Sequence, residues 1–167
     1  MKEVQSTRPA MDFKTAVLSQ FETDVAMALI EFGKFIRKID ADVLVFMARK
    51  SLCLYDVLLG IGIPPADQWV VSDRLLDMRL DNLRGKRIAL IDDTLIVGTT
   101  LAKTRKFLLD AGVQSVQVHA FCIDEKWWCR ELIRPDSVTL HLSDERVMTF
   151  CTAAVRAISL LPRPYLS

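Results

Sequence analysis

The stretch Arg87-Ile88-Ala89-Leu90-Ile91-Asp92-Asp93-Thr94-Leu95-Ile96-Val97-Gly98-Thr99-Thr100-Leu101 constrains the fold more than any other part of the chain. Ile88 to Ile91 is a short apolar run and reads as a buried strand. The run stops at two adjacent carboxylates, Asp92 and Asp93. A turn carrying Gly98 and the threonines Thr94, Thr99 and Thr100 follows, and an amphipathic helix then begins. An open α/β sheet presents a phosphate site in this order, at the carboxyl end of a strand.

The residue types suit such a ligand. Backbone N–H groups of Val97 to Thr100 open the helix and can surround a phosphate dianion. Gly98 lets the backbone approach closely. The hydroxyls of Thr99, Thr100 and Thr94 add donors. Asp92 and Asp93 repel a phosphate but suit sugar hydroxyls or a hydrated Mg²⁺. A ligand with both a phosphate and a free ribose diol satisfies both halves.

The flanking chain fits a layered α/β domain. Met1 to Met11 reads as a loose tail. Asp12 is the expected N-cap of a long helix to about Ile39, with Phe13, Val17, Phe21, Val25, Leu29, Phe32 and Ile36 on its apolar stripe. Asp42 to Met47 reads as a buried strand, Leu52 to Leu59 as a helix, and Gln68 to Val71 as a short strand. Leu75 to Leu83 is expected to form one or two helical turns. Leu101 to Ala111 reads as a helix with Leu101, Phe107 and Leu108 facing inward, closed by Gly112. Strands are expected at 115–123 and 138–142, and a final helix from the N-cap Ser143 to about Leu160. Alternating buried strands and helices give the expected fold class: α/β, a mostly parallel twisted sheet flanked by helices, with a small C-terminal hood or extension. The whole chain, 1–167, is expected to be one domain, with its core at about 12–124 and the extension at about 125–167.

Composition excludes several classes. With 22 basic and 21 acidic residues, net charge +1, no polyanion-binding surface is expected, and so no direct nucleic-acid binding. No apolar run reaches the length of a membrane span, and Met1 to Ala10 is polar and charged, unlike a signal peptide. The four cysteines, Cys53, Cys122, Cys129 and Cys151, lack metal-ligand spacing and read as reduced thiols, which fits a cytoplasmic protein. His119 and His141 have no carboxylate or Cys at ligand spacing and read as non-catalytic. A phospho-acceptor receiver domain would also place acids at a strand end, but the Gly-Thr-Thr turn argues for an external phosphate ligand. A GxxxxGK[ST] nucleotide loop is absent.

The central stretch Ile-Ala-Leu-Ile-Asp-Asp-Thr-Leu-Ile-Val-Gly-Thr-Thr resembles the signature of the type I phosphoribosyltransferases, and the likeness in element order extends over roughly Asp42 to Asp124. The resemblance implies that Thr94 to Thr100, including Val97, Gly98, Thr99 and Thr100, bind the 5′-phosphate of phosphoribosyl pyrophosphate (PRPP). It implies that Asp92 and Asp93 bind the ribose hydroxyls as the catalytic pair and hold Mg²⁺ directly or through water or ligand. Ala48-Arg49-Lys50-Ser51 sits where the family keeps its pyrophosphate loop, with Arg49 or Lys50 supplying charge; Arg74 is a further candidate for the pyrophosphate. Trp127, Trp128, Arg134 and His141 fall in the variable hood that selects the acceptor base.

Three features depart from the pattern. Val97 replaces the Thr that usually precedes the glycine, and Ile96 stands where members using 6-oxopurines carry an Asp, which disfavours hypoxanthine and guanine. Between Ser51 and Asp92 only 40 residues remain for the loop that closes over the reactants, so Asp73 to Arg84 must serve. Two readings therefore stay open. One is a Mg²⁺-dependent phosphoribosyltransferase that releases pyrophosphate. The other is a catalytically degenerate PRPP- or nucleotide-sensing module, within a larger bacterial stress or defence assembly. The expected partner is a small phosphoribosyl or nucleotide ligand, with no membrane; a homodimer or a partner subunit fits either reading.

Overall fold

A computed structural model describes residues 12–47, 50–64, 66, 68–71 and 80–162. Five strands form one sheet in the order β2-β1-β3-β4-β5. They are β1 (Val43–Phe46), β2 (Trp69–Val71), β3 (Arg87–Leu95), β4 (Ser115–Asp124) and β5 (Ser137–Leu142). Every neighbouring pair runs parallel. The helices are α1 (Phe13–Leu18), α2 (Thr23–Ile36), α3 (Lys50–Gly60), α4 (Thr99–Asp110) and α5 (Asp144–Ser159), with a 3₁₀ turn at Leu80–Leu83.

Alternation along the strands divides the core in two. Ala89 and Ile91 of β3 turn to one face with Leu44, Phe46 and Phe121, where α1, α2, α3 and α5 deliver Val17, Leu29, Phe32, Leu54, Leu58 and Phe150. Ile88 and Leu90 turn to the other face with Val43, Val45, Val118 and Ala120, where α4 delivers Leu101 and Leu108. Period-two alternation in a doubly covered parallel sheet produces this division. The first face is bound by aromatic contacts: Phe32 meets Phe121 edge-on at 5.4 Å and Phe121 meets Phe150 at 5.1 Å.

Several sequence expectations need correction. The long first helix is two helices. Asp12 does cap α1, its carboxylate accepting from Lys14 N and from the Thr15 hydroxyl. At Ser19 the side chain turns back to Ala16 O, and Glu22 adopts an extended ψ of 148° before α2 restarts at Thr23. The apolar stripe holds across the break from Val17 on, with Val17, Phe21, Val25, Leu29, Phe32 and Ile36 all buried, but its first member, Phe13, is 44% exposed. Phe107 does not face inward: it is 49% exposed, and Leu101 and Leu108 alone are the buried residues of α4. The segment read as a C-terminal extension supplies both an edge strand and a core helix. Strand β5 pairs with β4, and α5 buries Val147, Phe150, Ala153, Ala154 and Ala157. The N-cap Ser143 accepts from Arg146 N at 3.4 Å.

The largest correction concerns the acidic pair. Strand β3 does not stop at Ile91 but continues to Leu95, paired with β4 as far as Leu95↔Ile123. Its other neighbour, β1, ends at Phe46↔Ile91. Asp92 and Asp93 therefore lie inside a strand yet beyond the end of the adjacent one. The chain leaves β1 towards β2 on one side and leaves β3 towards β4 on the other. The crevice where strand order diverges, outside the carboxyl ends, is where open α/β sheets bind ligands.

Among the described residues, no helix is long and apolar enough to cross a membrane.

Candidate functional site

Because β1 stops early, the first turn of α3 takes its place beside Asp93. The Asp93 N–H donates to Ser51 Oγ at 3.0 Å, a hydroxyl standing in for the missing strand carbonyl. The Ser51 hydroxyl in turn faces both carboxylates, 3.1 Å from Asp92 Oδ1 and 3.3 Å from Asp93 Oδ1. Ser51, read from sequence as part of a pyrophosphate loop, is fully buried against the acidic pair. Its own amide closes the β1–α3 turn on Met47 O at 3.0 Å. Ser51→Ala removes a hydroxyl that accepts from the Asp93 amide and faces both carboxylates, at a cost of about 1–3 kcal/mol. Urea unfolding should show that loss with an unchanged m-value.

The two carboxylates occupy different surroundings. Asp93 is 5% exposed and faces inward, whereas Asp92 is partly exposed and lines a pocket of about 460 Å³. Burial first, and the charge of Asp93 second, raise the Asp92 carboxyl well above its ordinary value of 3.8. The same pocket is walled by Met47 and by the continuous run Thr94, Leu95, Ile96, Val97, Gly98, Thr99, Thr100 and Leu101.

That run wraps the start of α4. Gly98 is the N-cap, in the left-handed region at φ 93°, and no side chain caps the helix. Its carbonyl accepts from Ala102 N at 2.9 Å, so the amides of Thr99, Thr100 and Leu101 precede the first helical bond and lie at the positive end of the helix dipole. Thr99 and Thr100 are exposed, and Val97 is 44% exposed. Thr94 is buried, its Oγ1 3.5 Å from the Cys122 thiol, which also donates to Asp93 O at 3.3 Å. Burial pushes that thiol up to about 12, so Cys122 packs as a neutral S–H.

The structure thus brings Asp92, Thr94, Val97, Gly98, Thr99 and Thr100 to one pocket, and sets Asp93 and Ser51 against Asp92, outside the pocket lining. Arg49, Arg74 and the side chain of Lys50 lie outside the described residues, as does most of the Asp73–Arg84 segment. His119 is held away from the pocket: its Nδ1 meets Ser137 Oγ at 2.7 Å and its Nε2 meets Gln117 Oε1 at 3.0 Å. With Gln117 Oε1 as acceptor, Nε2 carries the proton and Nδ1 accepts from Ser137. Burial lowers its pKa further, leaving a neutral ring against Phe35.

Sequence reasoning missed two contributors. Met47 lines the pocket at the end of β1, and Ile133, in the segment between β4 and β5, packs on Gly98. The first could have been suspected from its place at a strand terminus. The second depends on a contact between residues 35 positions apart, which no local pattern encodes.

No family model matches this chain, and no curated protein does. Solved structures do. A hypoxanthine phosphoribosyltransferase from Staphylococcus aureus aligns at 17% identity over 72% of this chain and 74% of its own, with a TM-score of 0.52. A hypoxanthine-guanine phosphoribosyltransferase from Bacillus anthracis aligns at 11% identity over 78% and 79%, with a TM-score of 0.50. The hypoxanthine phosphoribosyltransferase of Trypanosoma cruzi, in complex with the product IMP, aligns at 14% identity over 72% and 77%, also at 0.50. Likeness at this identity establishes architecture: the chain has the type I phosphoribosyltransferase fold.

Proposed function

We propose that the chain binds PRPP or a nucleoside monophosphate, through the Thr94–Thr100 loop and Asp92, and transfers the phosphoribosyl group with release of pyrophosphate. One observation carries this reading. An uncapped helix N-terminus and a partly exposed carboxylate share a single pocket at the strand-divergence crevice. The amides of Thr99 to Leu101 suit the 5′-phosphate, and Asp92, on the same pocket, suits the ribose hydroxyls as their acceptor. Asp93 and Ser51 hold Asp92 in place from behind.

The donor set suits Mg²⁺. Among the described residues no group of three or more His, Cys, Asp or Glu could cage a metal. Mg²⁺ asks for less, being held by one or two carboxylates with waters and substrate phosphates. Asp92 would supply that carboxylate, and the bound ion would neutralise charge on the departing pyrophosphate. The chain's own contribution to transfer is to position the ribose, with the Asp92 carboxylate beside the developing positive charge and the helix amides on the phosphate.

A second reading, a nucleotide sensor without catalysis, is favoured by the pocket's apolar wall. Ile96 and Val97 line it and offer no side-chain acceptor for a base proton. Ile96 also weighs against hypoxanthine or guanine as the acceptor. Assaying pyrophosphate release from PRPP and Mg²⁺ over a panel of bases separates the two. Release with any base supports the transferase. Saturable PRPP binding with no release from any base supports the sensor. Failure to bind both PRPP and nucleoside monophosphates sinks both readings.

A further inference from the structure

The segment between β4 and β5 reaches the phosphate loop through the side chain of Ile133. A methyl group built on Gly98 would come within 2.5 Å of Ile133 Cγ2 and 3.1 Å of Leu95 Cδ1. Ile133 is buried, in the same cluster as Leu95 and Leu101, yet it is not among the residues lining the pocket. Its backbone is tethered. Trp128 Nε1 donates to Ile133 O at 3.1 Å, and the Ile133 amide reaches Cys129 O at 3.4 Å. The Arg130 guanidinium lies 5.1 Å from the centre of the Trp128 ring and steadies the indole from which the strap hangs.

This arrangement presses a β-branched side chain onto the one residue of the loop with positive φ. Glycine left to itself visits both signs of φ about equally. A change at Gly98 would re-aim the amides of Thr99 and Thr100, because those peptide planes follow directly from it. Isoleucine suits the task of holding it, since two substituents on Cβ leave χ1 nearly fixed. A loop already ordered before the ligand arrives does not lose that ordering entropy on binding.

We propose that Ile133 is a positioning residue: it holds Gly98 in its left-handed conformation, so the strap Trp128–Ile133 sets the affinity of a phosphate pocket it does not line. The proposal rests on the reading of 94–100 as a phosphate loop. It adds that the segment between β4 and β5 tunes that loop from outside the pocket lining.

Two measurements on the full chain test it, one with ligand and one without. In calorimetric titrations with PRPP and Mg²⁺, Ile133→Ala should bind about tenfold more weakly than the unmodified protein. Without ligand, ¹⁵N order parameters of Val97 to Thr99 should lie near the rigid value of about 0.85 in the unmodified protein and fall towards about 0.6 in Ile133→Ala. Ile133→Val keeps Cγ2 and should restore both quantities. Ile133→Leu moves the branch outward and should behave like Ala. Trp128→Phe, which removes the tether but leaves Ile133 in place, should shift both in the same direction by less; it also serves if Ile133→Ala does not fold. Unchanged order parameters in the Ala and Leu variants, or a Val variant no better than Ala, would overturn the clamp. An unmodified protein that binds no phosphate ligand would sink the phosphate reading, while the ligand-free order parameters still decide whether Ile133 holds the loop.

Discussion

Gly98→Ala should lower stability by about 3 kcal/mol and abolish binding of phosphate ligands. Two costs combine. A side chain at φ 93° is strained by about 1–3 kcal/mol. Forcing its Cβ against Ile133 Cγ2 and Leu95 Cδ1, both in a packed cluster, adds about 1–3 kcal/mol of overpacking. The molecule contains its own controls. Gly62 and Gly85 also have positive φ, at 84° and 72°, but nothing lies within 4 Å of an added Cβ at either. Alanine there should cost only the backbone strain, about 1–2 kcal/mol. The excess at Gly98 over Gly62 and Gly85, read from denaturant midpoints, isolates the contacts with Ile133 and Leu95. Equal losses at all three positions would show that the contact has no energetic weight.

Asp92→Asn should act in opposite directions on binding and stability. Removing the charge deprives ribose hydroxyls and Mg²⁺ of their acceptor, and binding of PRPP with Mg²⁺ should fall by about 100-fold, as for loss of a charged hydrogen-bond partner in a desolvated site. Stability in the metal-free protein should rise. The Asp92 carboxyl is raised above 3.8, chiefly by burial and then by Asp93. Above that ordinary value the unfolded chain gives up its proton while the native state retains it, so the unfolded state binds fewer protons and native stability falls as pH rises. An amide does not titrate. The advantage of Asp92→Asn should therefore be absent well below 3.8 and grow as pH climbs towards the raised native value. Thermal melts across that range test the sign: a gain that shrank with rising pH would contradict it. A residue that costs stability where it stands is a familiar mark of a functional position.

Much of the fold could be read from residue pattern, because strand and helix periods are local. The apolar runs at 43–46 and 88–91, the stripe from Val17 to Ile36 and the Asp12 and Ser143 caps all reappear in the structure. What failed was less local. The charges of Asp92 and Asp93 looked like a strand end, but pairing with β4 carries β3 through them, and the Ser51 hydroxyl replaces the hydrogen bond that β1 does not supply. Phe107 looked like core because it sits beside Leu108 in sequence; one residue is about 100° of turn, enough to bring it to the surface. The site itself was legible as a run of residue types. Its division into a half-buried Asp92 on the pocket and an inward Asp93 was not, because that depends on which sheet face α3 covers. Nor could the pattern reveal Asp56 as a buried carboxyl in α3, which burial alone pushes up to about 6.

One pocket should recognise a phosphate and a ribose together. Calorimetric titration of the unmodified protein with PRPP in Mg²⁺, beside Asp92→Asn and beside inorganic phosphate alone, tests this most directly. The expected result is saturable binding of one PRPP per chain, weaker binding of phosphate, and loss of the difference between the two ligands in Asp92→Asn. PRPP binding that survives Asp92→Asn unchanged, or no PRPP binding by the unmodified protein, would contradict it.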